Sequence, residues 1–197
     1  MSPDDEPSVD QRVLRGRRNR EAVLDAAIEL MEEGLHTPTA DEVADRAGVA
    51  RRSVYHHFED LDGLSAAVAD RHFARFADLI HPISSDGPFE ERLSTFVGQR
   101  TAITELGLPV HRATRAASLD SPAVAERVAM GHRFLREEAL QVFSTELRRA
   151  PAWRCEAVDQ VSSIDGWVRL RVNQRLSPLR ARRVFEHTLR AILTGSN

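Results

Sequence analysis

Among 197 residues the chain has one cysteine, Cys155, and no lysine; every basic side chain other than histidine is arginine. A lone cysteine excludes a disulfide framework and a cysteine-rich zinc site, and gives no sign of an oxidising compartment. The missing lysine carries no mechanistic reading of its own. No run approaches the roughly 18 apolar residues that a membrane span needs, so no membrane partner is expected. Glycine, proline and aromatic residues are sparse, and nothing alternates with period two over strand length, which argues against a β architecture. The opening MSPDDEPSVD is acidic and polar and lacks the form of a signal peptide. A cytoplasmic protein is the expectation.

Catalytic patterns are missing as well. There is no phosphate-binding glycine loop, no nucleophile elbow and no metal-spaced His/Cys cluster. His111, His132 and His187 are isolated, while His56 and His57 are adjacent and so point to different sides of a helix. No catalytic residue, cofactor or metal is expected, and the chain reads as a non-enzyme.

What is present is helical periodicity. Val23, Leu24, Ala27, Ile28, Leu30 and Met31 form one apolar face over a helix at about 16–33. Leu61, Leu64, Val68, Phe73, Phe76 and Ile80 do the same at about 61–81, until Pro82 and the segment 84–88 break it. Further helices are expected at about 89–106, 109–117, 121–148, 151–176 and 178–194. Pro109, Pro122, Pro151 and Pro178 each suit a first helical position. The fold expected is all-α with about nine helices.

The most informative stretch is 39–58, TADEVADRAGVARRSVYHHF. Thr39 N-caps a first helix, with Glu42 reaching back as a capping box. Val43, Ala44 and Ala47 supply its apolar face, and Gly48 closes it. A second short helix follows at once and exposes Arg51, Arg52, Ser53, Tyr55, His56 and His57. A tight turn between two short helices places a rigid helix in the major groove. The net charge of −3 does not oppose a DNA partner, because distribution matters more than the sum. Residues 1–60 are acidic overall, yet Arg12, Arg15, Arg17, Arg18 and Arg20 form an acid-free block, and Arg46, Arg51 and Arg52 lie in and beside the corner.

From Asn19 to Asp70 the pattern resembles the N-terminal domain of TetR-type transcriptional regulators. The matching residues are the helix Arg18–Glu33 with Gly34, then Thr39, Val43-Ala44, Ala47-Gly48-Val49, Ser53 to Phe58, and Leu64. A weaker similarity to the last two helices of family members runs through Trp167–Leu170, Leu176-Ser177 and 181–193. The resemblance implies a disordered arm over 1–15, a three-helix DNA-binding domain over 16–60, and a helical ligand-binding and dimerisation domain over 61–197.

It also implies a sequence-specific regulator, by default a repressor, that binds a palindromic double-stranded DNA operator as a homodimer and is released by a small-molecule effector. Arg51 and Arg52 would read base edges. Ser53, Tyr55 and His57 would hold phosphates, as would Thr39 from the amide end of its helix, and His56 would lie at the same DNA-binding face. Arg17 and Arg18 would reach the backbone or an adjacent minor groove. Leu61 stands where many members carry a phosphate-gripping lysine, and Asp41 where some carry a basic residue.

For the effector, Phe96, Arg100, His111, Arg115, Met130, Phe134 and Trp167 mix aromatic walls with polar groups; the arginines and His111 would favour an anionic or polar acceptor ligand. Val161, Ile164, Val168 and Val172 make one apolar stripe, and Phe185, Leu189 and Ile192 lie on another. The resemblance implies that both pair with a second copy; the alternative is that both face the chain's own core. A DNA-binding architectural protein without ligand control, or an all-helical enzyme, are the rival readings.

Overall fold

The computed structural model describes residues 9–35 and 37–195, and among these there are only helices, turns and coil. The ten α-helices are α1 Val9–Glu32, α2 Ala40–Ala47, α3 Arg51–Phe58, α4 Leu61–Ala77, α5 Phe89–Asp120, α6 Pro122–Val142, α7 Ser144–Leu147, α8 Ala152–Ser162, α9 Ile164–Val168 and α10 Pro178–Thr194. A π-helical turn, Arg169–Asn173, follows α9. No helix among the described residues is long and apolar enough to cross a membrane.

Local chemistry explains where helices start and stop. Both α1 and α2 end in Schellman turns: Leu35 N donates to Leu30 O and Gly34 N to Met31 O, and Val49 N donates to Ala44 O and Gly48 N to Asp45 O. Gly34 (φ 99°) and Gly48 (φ 65°) supply the positive φ these turns require. Asp60 accepts from Gly63 N at 2.7 Å and so caps α4. Ser177 caps α10, whose first residue is Pro178.

Several boundaries differ from expectation. Residues 9–15 continue α1 rather than forming a disordered arm: Gln, Leu and Arg extend a helix already nucleated by its buried half. Residues 1–8 lie outside the described residues. Pro109 starts no new helix but sits inside α5. A proline removes one backbone hydrogen bond, and packed flanks such as Ile103 and Val110 hold the helix on either side. The helix expected over 151–176 breaks at Ser163, whose extended backbone and hydroxyl cap α9 through Gly166 N.

The chain divides into two units, and not at residue 60. One runs to Arg71 and takes in Pro109–Arg127; the other comprises His72–Leu108 and the residues from Val128 onward. In the first unit, Val23, Leu24, Ala27 and Ile28 of α1 share a buried cluster with Val43, Val54, Phe58, Leu64 and Val68, and Val110 and Ala113 of α5 join it. The part of α5 from Pro109 onward is therefore part of the first unit's core. In the second unit, Phe96 packs edge-on against Phe143 at 5.1 Å, in a core that also holds Leu93, Val158, Trp167, Phe185 and Leu189.

Truncating Phe58 to Ala is expected to destabilise the head by about 3–5 kcal/mol, measured by urea denaturation. A loss below ~1 kcal/mol would contradict its place in that core.

Candidate functional site

The turn between α2 and α3 fixes what α3 can show. Val54 and Phe58 point inward, 1% and 5% exposed, while Arg51, Arg52, Tyr55 and His56 lie on the exposed face and Ser53 and His57 are half-buried. The Arg20 guanidinium lies 5.0 Å from the Phe58 ring centroid, a cation–π contact that ties α1 to the end of α3. His57 is held below the ordinary imidazole pKa of 6.5, first by burial and then by the charges of His56 and Arg20.

The arginines separate into two groups. Arg46, in the corner itself, is held by acids of α1: Glu33 at 2.9 and 2.7 Å and Glu29 at 3.4 Å. These bonds depress the Glu33 pKa, the Arg46 hydrogen bond being the main cause. Arg71 pairs with Glu21 and Asp25. Arg51 lies 3.2 Å from Asp41 and 5.8 Å from the Tyr55 ring centroid; the Tyr55 hydrogen bond, then Asp41, raise its pKa further. Arg52, Arg17 and Arg18 are exposed and paired with no acid among the described residues.

Thr39 forms the capping box expected of it. Its hydroxyl donates to Glu42 Oε2 at 2.7 Å and accepts from Glu42 N at 3.3 Å, and its N–H donates to the same carboxylate at 2.8 Å. Those bonds, the backbone one first, lower the Glu42 pKa. Both Thr39 donors end on the Glu42 carboxylate. The start of α4 is similar: Asp60 already occupies its amide end, with Glu59, Leu61 and Asp62 exposed beside it.

The expected effector residues divide between the two units, and three of the five in the second are committed to its core. Phe96 is buried in the second unit's core. Arg100 is 2% exposed and committed: Nη1 donates to Ser162 O (2.8 Å), Nη2 to Leu135 O (2.7 Å) and to Glu138 Oε2 (2.7 Å). Burial lowers its pKa, opposed by the charge of Glu138. Trp167 is also buried, its Nε1 donating to Glu105 at 2.7 Å. Arg171 binds the same carboxylate and is the first cause of its lowered pKa. His111 and Arg115 belong to the other unit.

Met130 and Phe134 are brought together. They line a cavity of about 300 Å³ with Gly131 and Leu135 of α6 and Phe73, Phe76 and Ile80. Sequence periodicity picked out the last three as a buried stripe, and only the fold shows that they leave a space. The apolar stripes expected to pair two copies also resolve differently. Phe185 (3% exposed) and Leu189 (0%) are buried within the chain, because α10 needs that face for its own core. Val161 and Ile192 pack half-buried against the same core, and Ile164, Val168 and Val172 are half-buried.

Residues 23–68 match the family described as "Bacterial regulatory proteins, tetR family". The HTH-type transcriptional regulator BetI of Klebsiella pneumoniae (strain 342) is 28% identical over 171 residues, covering 83% of this chain and 85% of its own. BetI of Escherichia coli (strain K12) is 27% identical over 178 residues, covering 85% and 90%. Among solved structures, a TetR-like transcriptional regulator from Rhodococcus sp. superposes with a TM-score of 0.67 at 15% identity, covering 90% of this chain and 97% of its own. The multidrug binding protein EbrR, complexed with imidazole, gives 0.56 at 21% identity, covering 87% and 92%; these two likenesses speak to the fold.

Two measurements check the geometry. Replacing Glu138 with Leu strands the buried Arg100 charge and is expected to cost about 3–5 kcal/mol in chemical denaturation. For His57, whose folded pKa lies below 6.5, the stabilisation is complete above pH 6.5 and is lost as the pH falls through the folded value. The melting temperature of His57→Gln should therefore fall less than that of the parent between pH 7.5 and pH 5; equal falls would contradict the assignment. With its anchored α3, the segment 23–68 carries the match to the tetR family of bacterial regulatory proteins, and most of the chain is similar to the BetI regulators.

Proposed function

We propose that the chain is a cytoplasmic, homodimeric repressor that holds a palindromic operator and releases it when a small molecule binds among the helices of its second unit. The observation that carries this reading is the two-faced α3: Val54 and Phe58 lock one side, and Arg51, Arg52, Tyr55 and His56 stand on the other. Arg51 and Arg52 read base edges through bidentate bonds to guanine. Ser53, Tyr55, His56 and His57 contact phosphates, and Arg17 and Arg18 add backbone contacts from α1. Because α1 is helical through this region, the two arginines act from a rigid rod rather than a flexible minor-groove arm.

One head reads too few bases to select a genomic site, and two heads related by a two-fold axis match a palindrome. With Phe185 and Leu189 buried, pairing draws on the outer faces of α8 and α10, where Trp153, Leu179 and Val184 are exposed. Release requires an effector that binds the DNA-incompetent state more tightly; equal affinity for both states would shift nothing. The description of EbrR as multidrug binding supports a ligand role for the corresponding domain.

Footprinting across the gene's own upstream region should show a protected palindrome. Protection without sequence preference would point to an architectural protein instead. The double substitution Arg51→Ala, Arg52→Ala should weaken operator binding at least ~100-fold while leaving the far-ultraviolet circular dichroism unchanged, since both side chains are exposed. Undiminished binding would sink the assignment. Replacing Arg17 and Arg18 with Ala should lower the salt dependence of log K by about one for each phosphate that is no longer neutralised.

A further inference from the structure

Two adjoining cavities lie beside α6 within the second unit, one apolar and one bordered by carboxylates. The first, about 300 Å³, has only apolar walls, including the rings of Phe73, Phe76 and Phe134 and the thioether of Met130. The second, about 280 Å³, shares Ile80 and Phe134 with it and also has Glu137, Gln141 and His81 in its lining. No arginine among the described residues lines either cavity. Glu138 also borders the second, but Arg100 and Gln99 engage its carboxylate. Glu137 is exposed and paired with no cation among the described residues.

The apolar cavity is held open at a cost. Met130 and Phe134 are 53% and 48% exposed, apolar surface that gains by being covered. A Cβ on Gly131 would stand 2.5 Å from Phe73 Cε1, so the bare glycine lets that ring rest against α6. A side chain there would drive the ring away.

Building on the ligand-released reading above, we propose that the effector is an aromatic molecule without an anionic group, its body in the Phe73–Phe76–Phe134 cavity and a cationic end received by Glu137. A carboxylate or phosphate would lose its hydration among apolar walls and meet a like charge at the second cavity. A cation meets ring faces and a carboxylate. Met130 and the rotatable phenyl rings let the body vary in shape, while the charge rule stays fixed.

Three naphthalene derivatives of similar size separate the alternatives: naphthylmethylammonium, methylnaphthalene and naphthylacetate, each titrated into the full chain by calorimetry, with operator binding followed by fluorescence anisotropy. The cation should bind most tightly and the anion least. Glu137→Gln should weaken the cation about fivefold and leave methylnaphthalene unchanged. Gly131→Val should weaken all three by about tenfold or more, and Phe134→Ala serves where that variant does not fold. Binding of none of the three, a preference for naphthylacetate, or indifference to Glu137→Gln overturns the proposal. The expected order of binding with the operator still held upholds the site and its chemistry, and overturns the ligand-released reading instead.

Discussion

An eight-residue helix is marginal in water, since the cost of nucleation is not recovered over two turns. α3 therefore exists because Val54 and Phe58 are buried with α1, α2 and the part of α5 from Pro109 onward. Every exposed feature of the reading head inherits its position from that anchor. The two Schellman turns act on the same constraint: by ending α1 and α2 at fixed points, Gly34 and Gly48 set the entry to each following segment. The Arg20–Phe58 contact closes the arrangement from the far side.

Arginine identity alone does not tell function. Arg46 looks in sequence like part of a basic reading surface, yet Glu29 and Glu33, more than a dozen residues upstream, neutralise it. Arg100 looks like a ligand anchor, yet it holds two backbone carbonyls and Glu138. Arg92 has no distinguishing sequence context, yet it is buried against Val142 O and Glu146. In each case the deciding partner is distant along the chain, so no local pattern could reveal it. Arg17, Arg18 and Arg52, left without acidic partners among the described residues, are recognised by what the fold does not place beside them.

What was legible in sequence was periodic or capped. The helix-turn-helix and the capping box at Thr39–Glu42 follow from short-range chemistry, and the structure contains them. Phe185 and Leu189 were read correctly as a stripe but not as to which neighbour it faces, because an apolar face does not name its partner. The course of α5 through Pro109 was hidden for a related reason: tertiary packing overrides a local breaker. The cavity was beyond reach because it is an absence, bounded by residues of α4 and α6 that lie far apart in the chain.

Arginine as the sole fixed cation has a consequence for control by modification. Lysine acylation, which erases a positive charge and a phosphate contact, has no acceptor side chain anywhere in this sequence. The metabolic state of the acyl-donor pool thus cannot loosen the head's grip through that chemistry. Its affinity answers to ionic strength, to operator sequence and to the geometry of the fold.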